Sequence, residues 1–112
     1  MTHIMKLNDA PFEMVKNGSK TIELRLYDEK RRKIQVGDTV CFKAKAGIVT
    51  AKVKALYLFK NFEELYAELP LDKCGYAPGE LATASPDDML LYYSKEQIKK
   101  YGVIGIEIEV VK

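Results

Sequence analysis

The chain has a single histidine, two cysteines and no tryptophan in 112 residues. With His3 alone, a Ser–His–Asp triad cannot assemble inside it, because the triad's base is an imidazole. His3 is expected in a frayed N-terminus. Cys41 and Cys74 match no zinc-ligand spacing. Two cysteines also fall far short of a secreted disulfide scaffold, so they are expected as free thiols in a cytoplasmic protein. No apolar run approaches the ~20 residues that cross a membrane. The start, "MTHIMKLND", lacks an apolar core, so neither a signal peptide nor a membrane partner is expected. Excess charge is scarce as well. The net charge is +2 and the pI is near 8.4, well below the balance of an obligate nucleic-acid binder. Any basic surface must therefore come from clustering. Repeats and low-complexity stretches are absent, and no cofactor or metal ion is expected.

What is present is a chain with 47% hydrophobic residues, enough for a modest core. Its length fits one domain spanning 1–112. "NDAPFEMVKNG" offers Asn8 or Asp9 as helix N-cap, Pro11 in the first turn and Gly18 as the stop. A strand from Thr21 to Leu26 follows. Beyond it come the polar "YDEKRRKIQVGD", a strand over Thr39–Ala44, a "KAG" hairpin turn and a long alternating strand over Ile48–Phe59. Asn61 with Glu64 starts a helix that Pro70 ends. After a loop rich in Pro and Gly, Ser85–Pro86 restarts a helix, and Ser94 with Gln97 starts another that stops at Gly102. Val103–Val111 reads as the closing strand. The pattern predicts an α+β fold: a small mixed, mostly antiparallel β-barrel with short flanking helices, since strands of this number must manage their edges.

The least ordinary stretch is "NGSKTIELRLYDEKRRKIQVGD". In "TIELRL", Ile22, Leu24 and Leu26 share one strand face and Thr21, Glu23 and Arg25 the other. From spacing alone the polar face is either solvated surface or the floor of a site, with Lys20 at its mouth. The run Lys30, Arg31, Arg32, Lys33 is either a solvated loop or a set of phosphate contacts, which position a nucleic acid without reading its sequence. Lys43, Lys52 and Lys54 add to the second reading. Of the adjacent Tyr92 and Tyr93, one is a candidate for stacking on a base. Thr21 and Ser94 are candidate nucleophiles with no His to activate them; a Lys–Thr or Lys–Glu arrangement stays open.

These residues, together with "YYSKEQIKKYGVIGIEI", resemble the ASCH domain family of the PUA-like superfamily, most specifically in Gly18, Lys20, Glu23 and Arg25. The resemblance covers nearly the whole chain. It implies a barrel of five or six strands, flanking helices and a cleft between them lined by Lys20, Glu23 and Arg25. The implied partner is RNA or a modified nucleoside. Tyr93, Ser94, Arg31, Arg32 and Lys43 join Arg25 as ligand-binding candidates. Family members that hydrolyse N4-acetylcytidine are described as using a Lys, a Thr and a Glu. Lys20 matches the Lys, Glu23 stands where the Thr belongs, and Glu80 is the nearest candidate for the Glu. The alternative to a binding module is thus a small hydrolase, an amidohydrolase or ribonuclease using Lys20 and Glu23, with Thr21 and Glu80 weaker.

Overall fold

The computed structural model describes residues 1–111. In chain order it contains β1 (Thr2–Lys6), α1 (Asp9–Lys16), β2 (Ile22–Leu26), the one-turn α2 (Glu29–Arg32), β3 (Thr39–Ala44), β4 (Gly47–Phe59), α3 (Phe62–Glu68), three 3₁₀ turns (Leu71–Lys73, Pro78–Thr83, Pro86–Leu91), α4 (Lys95–Tyr101) and β5 (Val103–Val110). The strands form one sheet in the order β1-β3-β4-β5-β2. β1 runs parallel to β3, and the other neighbours are antiparallel.

The predicted barrel does not close. The sheet curls into a half-barrel whose free edges are β1 and β2. Those two strands are joined by α1, whose Phe12 and Val15 are buried in the core against the inner face of the sheet. Across the gap a side chain replaces the missing ladder: Arg25 Nη2 on β2 donates to the Lys6 carbonyl at the end of β1, 2.9 Å away.

The N-terminus is not frayed either. β1 pairs through Met5 with Phe42 and buries Met5, and His3 Nε2 lies 2.8 Å from Asp38 Oδ2. The helix expected after Ser85 is a 3₁₀ turn that ends at Leu91, three residues before Ser94 caps α4. Ser94 Oγ accepts from the Gln97 N–H and Gln97 Oε1 from the Ser94 N–H, the reciprocal cap its sequence encodes.

Two apolar layers result. The concave face of the sheet holds Met5, Phe12, Val15, Val40, Phe42, Val49, Ala51, Val53, Ile104, Ile106 and Ile108. The outer face of β2 and β5 holds a second layer, Ile22, Leu24, Leu26 and Val103 under Phe62, Leu65, Cys74 and Met89. β2 is therefore covered on both faces, which decides the fate of its polar residues.

Candidate functional site

Opposite residues of an antiparallel pair share a face. Glu23 stands opposite Ile106 and Arg25 opposite Ile104, so both point to the concave side, where those two isoleucines are core. Ile22, Leu24 and Leu26 face the second layer. Glu23 is only 3% exposed and Lys20 only 8%. The solvated-surface reading of this face does not describe the structure.

The three charges form one unit. Glu23 Oε1 accepts from Lys20 Nζ at 2.6 Å, and Oε2 accepts from Arg25 Nε at 2.8 Å. Burial pushes the Glu23 carboxyl up. The nearby Lys20 and Arg25 charges and the hydrogen bonds they donate outweigh that, and its pKa lies below the ordinary 4.5. One carboxylate between two cations leaves the unit with an uncompensated positive charge. Lys20 is held from two sides. Its N–H bonds the Met14 carbonyl at the end of α1, and its stem runs over Gly75. A Cβ at Gly75 would sit 3.3 Å from Lys20 Cδ, at a φ of +104° that L side chains rarely adopt.

This unit lies in the wall of a cleft of about 1050 Å³ at the free edge of β2. One side is built from the end of β1, the start of α1 and the β3–β4 turn, with Lys6, Asp9, Met14, Lys43 and Lys45. The other comes from α3 and the 3₁₀ segments, with Tyr66, Cys74, Tyr76, Glu80, Asp88, Met89, Tyr92 and Tyr93. On that side runs a chain of hydroxyls. Tyr76 donates to Asp88 Oδ2 at 2.7 Å, and Tyr66 lies 2.6 Å from the Tyr76 oxygen, to which it is then the donor. The Tyr76 and Ser85 bonds lower the Asp88 pKa, whereas burial first and then its two partners raise that of Tyr76. Burial pushes the Cys74 thiol up to about 12, so it carries no thiolate at neutral pH.

The candidates divide sharply. Lys20, Glu23, Arg25, Lys43, Glu80 and Tyr93 all line the cleft. Glu80 spends Oε1 on the Ala77 N–H, 2.8 Å away. Tyr93 stacks on Phe62 at 6.2 Å between ring centroids, whereas Tyr92 is 65% exposed and is the one available for stacking. Four candidates lie elsewhere. Thr21 bonds Lys73 and Ile108 through its backbone, and Ser94 is a helix cap. Arg31 pairs with Asp28 at 3.6 Å, and Arg32 lies over the Tyr27 ring at 4.5 Å. Lys6, Tyr66, Cys74, Gly75, Tyr76 and Asp88 escaped sequence reasoning; a Gly–Tyr pair inside a Pro- and Gly-rich loop was the available signal. Among the described residues no group of three or more His, Cys, Asp or Glu is placed to hold a metal ion. No helix there is long and apolar enough to cross a membrane.

The model of the ASCH domain matches residues 5–112. The chain belongs to the ASCH domain family. Among solved structures, this ASCH domain is similar to the protein PH0355 with 35% identity and a TM-score of 0.84, over 99% of this chain and 100% of that one. It is similar also to protein PF0455 from Pyrococcus furiosus, with 35% identity and a TM-score of 0.76 over 100% and 99% of the two chains. A variant of the ASCH protein from Zymomonas mobilis shares the fold at 11% identity and a TM-score of 0.67, over 96% of this chain and 67% of that one. No curated protein matches the sequence.

Proposed function

We propose that this ASCH domain binds single-stranded RNA or a modified nucleoside in the cleft, with the Lys20–Glu23–Arg25 unit as the polar floor and Tyr92 as the stacking surface. The observation that carries the reading is the ion-paired unit in one cleft wall, with Lys20 and Glu23 buried and Arg25 half-buried beside them. Removing charged groups from water is expensive, and a buried ion pair seldom repays that cost in stability. A cleft that keeps such a unit is a site candidate with a physical rationale. The net positive floor suits a ligand rich in oxygen acceptors, and the exposed ring supplies a face for a base.

One observation favours a hydrolase as the second reading: an amine and a carboxylate in contact at a cleft floor can share a proton. Against it, both Glu23 oxygens are taken and its pKa is lowered, which makes it a weak base. Glu23 acts better as the holder of two cations.

The test is calorimetric titration with acylated and modified nucleosides and short RNAs, with every mixture read by mass spectrometry. Saturable binding is expected, weakened by about tenfold in Tyr92→Ala, since stacking on one base contributes about 1–3 kcal/mol. A product mass would make the protein a hydrolase. No binding to any of the panel would overturn the reading.

A further inference from the structure

The outer face of β1, β3 and the first half of β4 carries no helix, and its charges are of one sign, set among the exposed Ile4 and Ile48. The three strands contain no Asp or Glu. Met5, Phe42 and Val49 point inward as register partners, so the residues between them point out. Lys6 stands beside Lys43, and Lys52 beside Thr39, whose Oγ1 accepts from Lys52 Nζ at 3.1 Å. Lys54 is exposed where the register between β4 and β5 shifts. None of these lysines has an ion-pair partner among the described residues. The first acid across the sheet is Glu109 on β5, beside Lys52. Since the whole chain carries only +2, this is segregation of charge rather than general basicity.

Lysine on an edge strand deters unwanted pairing, which accounts for Lys6. It does not account for the others, because β3 and β4 are interior strands. Lys6 and Lys43 stand side by side on neighbouring strands, a mildly destabilising pair of like charges that a polyanion relieves. Lys6, Lys43 and Lys45 also border the cleft, so the face begins where the cleft ends.

We propose that this face is a track for the phosphate backbone of single-stranded RNA, one nucleotide of which occupies the cleft. The proposal rests on the cleft reading above and adds where the strand goes. The Lys6–Lys43 row and the row that holds Lys52 lie four residues apart along β3, about 13 Å, with Ile4, Cys41 and Thr50 between them, so the flexible ammonium groups meet a bound strand's phosphates at the two ends of the face. Such contacts position the strand without selecting its sequence.

The experiment compares one nucleoside monophosphate with an RNA of roughly ten nucleotides, within the span of single-strand sites, on the unaltered chain and on K52Q/K54Q. Both are titrated at several salt concentrations. The longer RNA is expected to bind more tightly and with a steeper salt slope. K52Q/K54Q should reduce that slope by about 1.4, or 0.7 for each phosphate that is no longer neutralised, and leave the monophosphate's affinity unchanged. Equal affinity for both lengths, or a slope unchanged in K52Q/K54Q, overturns the track and leaves the cleft reading standing. An equal loss of affinity for both ligands overturns it too, because the lysines would then act on the cleft. If neither ligand binds, both readings fall.

Discussion

Glu23 shows how little a residue's own chemistry says about its role until its surroundings are known. In "TIELRL" it looks like the polar half of an amphipathic strand, and the alternation itself is real. What alternation cannot convey is that both faces of β2 are covered, one by the core and the other by Phe62, Leu65 and Met89. The acid is thereby enclosed between Lys20 and Arg25, and its removal has a definite cost. Glu23→Gln leaves the buried Lys20 and the half-buried Arg25 sharing one neutral carbonyl. Breaking a buried ion pair from one side costs about 3 kcal/mol. In a chain this size that corresponds to a fall in melting temperature of about 10 °C, measurable by differential scanning calorimetry. An unchanged melting temperature would mean that the three charges are not coupled.

Secondary-structure elements were legible where short-range chemistry sets them. The reciprocal bonds of Ser94 and Gln97 follow from their spacing alone, as does the Asn61 cap, whose Oδ1 accepts from the Glu64 N–H at 2.9 Å. α4 has only seven residues and none of them is buried, so its cap should matter more than in a longer, better packed helix. Ser94→Ala is expected to cost about 1 kcal/mol in a urea melt and to leave ligand affinity unchanged, which also separates its capping role from the ligand-contact role that its sequence position suggested. β1 was not legible. It has five residues, only one of them buried, and it is held by a parallel partner more than thirty residues away. No local pattern reports that pairing. The 3₁₀ turn over Pro86–Leu91 reads as helix for a related reason: Ser85 and Pro86 do start a helical turn, but the next cap arrives before it can lengthen.

For the whole molecule, the open seam between β1 and β2 is the property that the sequence hid most completely, because it depends on which strands pair across the whole chain. The seam also couples stability to pH. The folded pKa of Glu23 is depressed, so the stabilisation of its ionised form is complete above the ordinary 4.5 and is lost as pH falls through the lowered value. Asp38, lowered chiefly by its hydrogen bond with His3, adds in the same sense at the base of β1. Stability should therefore fall on acidification below about pH 4.5. Glu23→Gln should flatten that fall, because the group that takes up the proton is gone. Chemical denaturation across that pH range checks it, and equal slopes in the two proteins would remove Glu23 from the account.

The central claim is that the ligand enters the cleft and meets the three-charge floor. It is tested most directly by recording backbone amide shifts by NMR while a short single-stranded RNA is titrated into the labelled protein. The account predicts saturable shifts at Lys20, Glu23, Arg25, Gly75, Tyr76 and Tyr92. Shifts confined to other surfaces, with these six unmoved at saturation, would contradict it.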